Sequence, residues 1–539
     1  MNKSKESKLK MLAGTRIKRV LGEVPLAAEL DWALRGRGAP VDGFKLEELK
    51  ASLPNWCRQV KDSPLRDQKG CKALVYATLH YWINHAALLS LALVGQGHET
   101  TLAYSPYANW KKAITKFDLR QRDAYARKVL KPAEELISIK SFLAPADRPL
   151  PSSLADAIES VSIMDAQYTL QVEEVDKGSN LFQLRLERNK AAAAAALTWL
   201  QAESPDVVIL PNGLILEFGA VFYAARHLNI PVVSYEFGEQ HDRIWLARNT
   251  SVMHQETEVL WRAKQDATFG TEQRAQVQKL FTSRQAAGLF GSFYRRWQNL
   301  PAEGADVVRS KLGLDHRPVV LLAANVIGDS LTLGRASFTG DMSTWLQRTL
   351  VFFAERKDVQ FVLRVHPGER NLQGPSVAEL VHQVLAELPN HFHVVAAEDS
   401  INTYDLIALA DLGLVYTTTV GLEMAMSGLP VIVAGRTHYR GKGFTLDPAN
   451  WEDYFSGLEE ALQDLAAAKL NPHQIDTAWS YAYRFFFDYP QPFPWHLLHF
   501  WKDVETTPLS SVFSELGQSQ FVRTFDYLVG RPFPWENLQ

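Results

Sequence analysis

Between residues 317 and 435 five short apolar runs alternate with helical stretches, and that rhythm constrains the fold more than any other feature. The runs are RPVVLLAANVIGD, QFVLRVHPGE, HFHVVAA, LGLVY and LPVIVAG. Segments 343–356, 377–388, 403–410 and 420–427 between them read as helices. Buried strands separated by helical crossovers can only pair in parallel, so this half predicts a doubly wound sheet.

The first half repeats the pattern more loosely. KALVYATL, the polar turn HYWINH, the helical run AALLSLALVGQG and the strand TTLAYSP form one unit. PDVVILPNG, a helix over 216–228 and IPVVSYEFG form another. The stretch 108–200 reads as a helical insertion, including the alanine run 191–196. The expected architecture is α/β: a helical extension (1–70), a Rossmann-like domain (71–300), a second such domain (301–475) and a helical tail (476–539). The segment LPAEG near 300 reads as the linker.

Composition narrows the partners. Fifty-seven basic against 60 acidic side chains leave a formal charge of -3, which argues against nucleic acid. Cys57 and Cys71 are too few for a disulfide framework, so a reducing, cytoplasmic setting is expected. The basic start MNKSKESKLK has no apolar signal core, and the apolar run 86–94 is about half of the ~20 residues that span a bilayer. Lys8, Lys10, Arg16, Lys18 and Arg19 lie in a helical pattern that either meets lipid headgroups or is simply solvated. Peripheral contact with the cytoplasmic membrane is therefore left open.

Ligands of open α/β sheets bind at the carboxyl ends of the strands, so strand-end residues carry the candidate chemistry. In the second half Arg364 and His366 alternate onto one face before Pro367 and Gly368 stop the strand. An imidazole there suits a phosphate oxygen; the plain alternative is a surface histidine before a turn. Thr417, Thr418 and Thr419 follow the strand LGLVY, with Gly421 and Glu423 in the next helix. Hydroxyls and free N–H groups at a helix start suit a phosphate, Gly421 leaves room for it, and Glu423 suits a sugar hydroxyl. Ordinary N-capping is the alternative. The loop Gly435–Phe444 adds His438 and Lys442, and Asn325, Gly328 and Asp329 follow the domain's first strand. Glu398, Ser400 and Asn402 are the candidates for base and ribose. In the first half, Glu236 is the leading candidate base, with His80, His85 and Asp242 behind it, while Asn212, Gly213 and Glu239 are expected to meet the acceptor. HExxH, paired CxxC, Walker A and Asp-x-Asp patterns are missing, so no metal site is expected.

Together NVIGDS (325–330), RVHPGE (364–369), INTYDLIALAD (401–411), YTTTVGLEMAMSGLPVIVAG (416–435), HYRGKGFT (438–445) and AWSYAYRFFF (478–487) resemble bacterial capsule polysaccharide biosynthesis glycosyltransferases. The His-Pro pair and the hydroxyl-rich turn are also similar to the donor motifs of bacterial sialyltransferases and teichoic-acid polymerases. The resemblance implies a GT-B fold and metal-independent transfer from a nucleotide-sugar, with His366 and Thr417–Thr419 on the nucleotide phosphate. It also implies that the tail crosses back onto the first domain. The relatives' acidic base motif is matched only in part, by Glu236-Phe237-Gly238.

The expected function is thus sugar transfer, preferably with inversion, from a nucleotide-sugar to a surface polysaccharide or glycolipid. No cofactor is expected beyond the donor itself. A nucleotide-sugar 2-epimerase, a CDP-alcohol phosphotransferase and a two-lobed ligand-binding protein are the alternatives.

Overall fold

The computed structural model describes residues 16–34, 43–143, 149–293, 301–371 and 374–537. Its strands are β1 (Lys72–Thr78), β2 (Glu99–Ser105), β3 (Ser138–Ser141), β4 (Val207–Pro211), β5 (Val232–Glu236) and β6 (Arg243–Arg248) in the first half. The second half holds β7 (Val319–Ala323), β8 (Gln360–Arg364), β9 (Phe392–Val395), β10 (Leu412–Val415) and β11 (Val431–Val433), and the tail adds β12 (Gln491–Pro492). They form a seven-stranded sheet, β12-β6-β5-β4-β1-β2-β3, and a five-stranded sheet, β11-β10-β7-β8-β9. The second sheet is parallel throughout. The first is parallel from β5 to β3, with β6 and β12 added antiparallel. This is the expected α/β architecture of two Rossmann-like sheets, the GT-B arrangement.

Several sequence expectations change in detail. HYWINH is no turn: it opens the helix His80–Gly95, because Leu79 takes the sharp bend itself at a φ of 65°. The stretch 108–200 is no pure insertion, since β3 pairs with β2 and extends the sheet. Its four residues alternate exposed and half-buried, an edge pattern too short to show as an apolar run. The border between the halves also moves. Leu260, Trp261, Val277, Leu280 and Phe281 join the core of the second sheet, so the chain crosses over shortly after β6 rather than near residue 300. It returns at the tail: Tyr481, Phe485 and Phe486 still pack in the second core, whereas Phe493, Trp495, Phe513 and Phe525 pack in the first.

The helices covering the first sheet are held by charge as well as by apolar packing. Arg185, on Asn180–Glu203, is fully buried between Asp165 on Ser152–Leu170 (2.5 Å) and Glu217 on Leu216–His227 (3.0 Å). An ion triad without water is tolerated only when its hydrogen bonds are satisfied, and removing one member strands the others. Arg185→Met is expected to lower stability by ~3–5 kcal/mol, read as a shift of the urea transition, because it leaves two carboxylates buried without their cation.

Candidate active site

Glu236 ends β5 and faces a cavity of about 150 Å³ walled by Tyr81, Trp82, Trp110, Tyr168 and Phe218. Asn212 also lines it. Asn212 adopts a φ of 59°, and its Oδ1 accepts from the N–H groups of Leu214 and Ile215, so the loop after β4 folds on its own side chain. Leu216, also on the wall, sits at a φ of 58°. Such a conformation costs a bulky residue about 1–3 kcal/mol and is characteristic of built sites. The Glu236 carboxylate accepts from the Phe237 N–H at 3.0 Å. Burial among aromatic rings pushes its pKa up to about 7, while that hydrogen bond and one from Asn212 pull the other way. A carboxyl poised there exchanges a proton near neutrality.

The other candidate bases occupy different surroundings. His85 is buried in an aromatic cage, where Nε2 meets the Trp495 carbonyl at 3.3 Å and Nδ1 the Tyr235 hydroxyl at 3.3 Å. Desolvation pulls its pKa down to about 3, so the structure gives it a packing role and not the expected catalytic one. His80 stands in the first turn of its helix, and burial and nearby Lys45 lower its pKa. Asp242 lines a separate cavity of about 830 Å³ under the tail, away from Glu236.

Opposite Glu236 are the strand-end loops of the second sheet. Tyr168 marks the approach: Asp329 from the second half and Glu236 from the first both help raise its phenol pKa, after burial. Asn325 accepts the Thr417 N–H at 3.1 Å and so ties the loop after β7 to the turn after β10. The Thr417 hydroxyl is buried and meets no hydrogen-bond partner. Thr418 accepts from the Val420 N–H at 3.4 Å, and Thr419 makes no side-chain cap despite its N-cap position. Arg364 is buried, donates to the Ala396 carbonyl at 2.5 Å, and has its pKa pulled down to about 10 by desolvation. His366 accepts the Gly368 N–H at Nδ1, 3.0 Å away, which fixes its ring beside the Pro367 turn.

Several expected contacts have other occupants. A Cβ on Gly421 would lie 2.3 Å from the Tyr439 hydroxyl, so this glycine makes room for Tyr439, which donates to the Thr418 carbonyl at 2.6 Å. Glu423 accepts from Arg284 Nη1 at 2.8 Å, and Glu239 accepts from Arg284 Nη2 at 2.9 Å. One buried guanidinium thus spans the two residues expected to meet donor and acceptor. His438 is stacked on Phe485 with ring centroids 3.7 Å apart, and Lys442 pairs with Glu258. Gly328, at a φ of 70°, lies where a Cβ would approach the Val172 N at 2.5 Å, so it lets the loop after β7 pack on the first half. A Cβ on Gly213 would press on Ser234 at 3.1 Å. Glu398 and Ser400 are exposed, and Asn402 caps the helix Thr403–Leu409 through the Tyr404 N–H at 2.9 Å.

Sequence reading missed Arg284 and the aromatic wall. Arg284 lies in a polar helix, Thr271–Gln285, with no local signal, and the wall is gathered from four separate segments. Among the described residues no group of three His, Cys, Asp or Glu side chains is placed to hold a metal ion.

Residues 271–482 match the family model described as capsule polysaccharide biosynthesis protein. That match spans less than half of the chain. No curated protein sequence matches it. Among solved structures it is similar to the beta Kdo 2,4 transferase of Thermosulfurimonas dismutans KpsC, at 17% identity over 54% of this chain and 83% of that one, with a TM-score of 0.35. The beta Kdo 2,7 transferase of the same KpsC gives 12% identity, 56% and 82% coverage and a TM-score of 0.32. The UDP-GlcNAc 2-epimerase from Neisseria meningitidis gives 12%, 77% and 100% coverage, and 0.24. Likenesses of that depth leave the chemistry to the chain's own residues.

The shift at Glu236 has a measurable consequence for stability. Its carboxyl ionises near 7 in the folded chain against an ordinary value of 4.5, so the folded state holds the proton more tightly. This contribution is fully present below pH 4.5 and is lost as pH rises through the window from 4.5 to 7. Glu236→Gln should therefore match wild type near pH 4.5 and exceed it by ~3 kcal/mol at pH 8, as read from Tm at the two values.

Proposed function

We propose that this chain belongs to the capsule polysaccharide biosynthesis family and is a glycosyltransferase that moves a sugar from a nucleotide donor to a hydroxyl of a polysaccharide or glycolipid. The observation that carries the reading is Glu236, a carboxyl poised near pH 7 in an aromatic cavity opposite the strand-end loops of the second sheet. Aromatic faces suit the apolar faces of sugar rings, and the carboxylate takes the proton of the attacking hydroxyl. The acceptor oxygen forms its bond to the anomeric carbon as the bond to the nucleotide phosphate breaks, which inverts that carbon. Asn325, His366 and the Thr417–Thr419 turn are assigned to the donor side. The buried, partnerless Thr417 hydroxyl and the carboxylate-free Arg364 support that assignment.

The reading is tested by binding and by turnover. One of CMP, CDP, UDP, GDP or dTDP should raise Tm in wild type, and His366→Ala should weaken that binding at least about tenfold. Glu236→Gln should bind the same nucleotide normally yet lose transfer by ~10²–10⁴-fold, the range for a missing general base. Donor turnover at full rate without any acceptor would defeat the reading, as would a Glu236→Gln variant of wild-type activity.

We also infer that residues 16–34 rest on an anionic membrane, where a glycolipid acceptor would lie. The acidic side chains of this segment face the protein: Glu23 pairs with Lys116, Glu29 with Arg120, and Asp31 with Gln121. Ala28 and Trp32 pack inward, but the large aliphatic side chains face outward, with Val20 69%, Leu26 64% and Leu34 85% exposed and Arg16 and Arg19 beside them. A row of exposed large aliphatics beside arginines on the outer face matches an interfacial helix. No described helix is long and apolar enough to cross a membrane. Wild type should co-sediment with phosphatidylglycerol-containing vesicles and not with pure phosphatidylcholine. Val20→Glu combined with Leu30→Glu should abolish that while leaving Tm unchanged.

A further inference from the structure

A second cavity, of about 390 Å³, lies beside the Thr417 turn, with walls from 254–258, Gly334–Arg335 and 436–442. Thr437, on its wall, donates to the Thr417 carbonyl at 3.2 Å, so the cavity adjoins the donor loops without including His366 or Glu236. Arg335, Arg436, Arg440 and Lys442 line it against Glu256 and Glu258. Two of these cations are already occupied: Lys442 pairs with Glu258, and Arg440 donates to the carbonyls of Val433 and Pro448. Arg436 is exposed and reaches the Gly334 carbonyl at 3.3 Å.

Arg335 is the unusual member. It is only 7% exposed, yet no described carboxylate lies within 4.0 Å of it. It donates to the Arg436 carbonyl at 3.2 Å and to the Met253 carbonyl, and its Nε meets no acceptor. Glu256, the nearest acid on the wall to influence it, is held instead by the Thr250 hydroxyl at 3.0 Å. Burial without a counter-charge lowers the Arg335 pKa to about 10. The contrast within the molecule is direct: the equally buried Arg185 and Arg284 are each clamped by two carboxylates. Burying an unpaired charge is costly, and a cavity opening onto that charge lets a ligand supply the missing anion.

We infer that this cavity is an oxyanion site that takes the carboxylate or phosphate of an acidic saccharide. A bare anion displaces only a few waters of about 30 Å³ each, so the cavity has room for a sugar ring behind the charged group. Polar Gln255 and Thr437 on the walls suit hydroxyls. His438 and Lys442, donor-side candidates on sequence, line this cavity, but His366, Thr417–Thr419 and Glu236 do not, and its existence does not depend on glycosyl transfer.

The test titrates the full chain at low salt with inorganic phosphate, D-glucuronate and, as the uncharged control, D-glucose, following Tm and calorimetric binding. Saturable binding of phosphate or glucuronate but not glucose is expected, and whichever anion binds identifies the group carried by the ligand. Arg335→Gln and Arg436→Gln should each weaken it at least about tenfold, whereas His366→Ala should leave it unchanged. Arg436 is exposed, so Arg436→Gln remains a decisive variant even where Arg335→Gln does not fold. The inference is overturned by no saturable anion binding in wild type, by glucose binding as well as glucuronate, or by unchanged binding in Arg436→Gln. Equal loss in His366→Ala also overturns it, because the anion would then sit in the donor cradle. Absence of any nucleotide binding would defeat the glycosyltransferase reading and leave this result standing.

Discussion

One buried guanidinium ties the strand-end loops of the two sheets to each other. Arg284 is 3% exposed, and its two terminal nitrogens reach Glu239, in the loop after β5, and Glu423, in the helix after β10. Phe281 and Phe486 cover its faces, with the guanidinium carbon 5.1 and 4.7 Å from the ring centroids. A planar fork with opposed donors can hold two carboxylates at a fixed separation, which a lysine cannot. Because each carboxylate sits next to a strand-end loop, the pairing fixes the spacing between the halves of the cleft. A second tie runs the other way: Glu173 of the first half accepts from the N–H groups of Met342 and Ser343 at 2.8 and 2.9 Å, capping a helix of the second. Charge at a helix N-terminus is favourable, so this contact also stabilises the helix it docks on.

The same economy of charge separates four of the buried arginines into two pairs. Arg185 and Arg284 carry two carboxylates each and hold helices or sheets together. Arg335 and Arg364 bond only to backbone carbonyls and keep a pKa lowered by desolvation. Both of the latter lie where loops of the second sheet open onto cavities or turns, and both leave charge uncompensated. Arg188 is a third arginine bonded to backbone carbonyls, but it stacks on Tyr107 and lines none of these loops; Arg335 and Arg364 instead stand where an anionic ligand is proposed.

The sheet order of the second half was legible because its strands are buried on both faces and read as unbroken apolar runs such as VVLLA and VIV. β3 escaped notice because an edge strand of four alternating residues carries no such run. The helical start of HYWINH escaped because polar residues at 80–85 suggest a turn, while burial in an aromatic core decides otherwise. At the site, Glu236 was legible from its strand-end position. Glu423 and Glu239 were expected to meet donor and acceptor, but both pair with Arg284, which lies 139 and 45 residues away in sequence and has no motif. Gly421 shows the same limit: its need for space is real, yet what fills the space is Tyr439, from the loop after β11.

Glu236 shows why such a site tolerates strain. Its carboxyl is raised because Trp82, Tyr81 and Phe218 exclude water, and the cavity exists because the loops after β1 and β4 bend through Leu79 and Leu216 at φ values of 65° and 58°. Relaxing either bend would move the aromatic wall and rehydrate the carboxyl, returning it toward an ordinary value. The unfavourable backbone and the unfavourable desolvation are therefore coupled: the first maintains the second, and the surrounding core of the seven-stranded sheet holds both in place. A group kept near neutrality by packing needs no neighbouring charge to tune it, which leaves the cavity free of competing anions for the proposed acceptor hydroxyl.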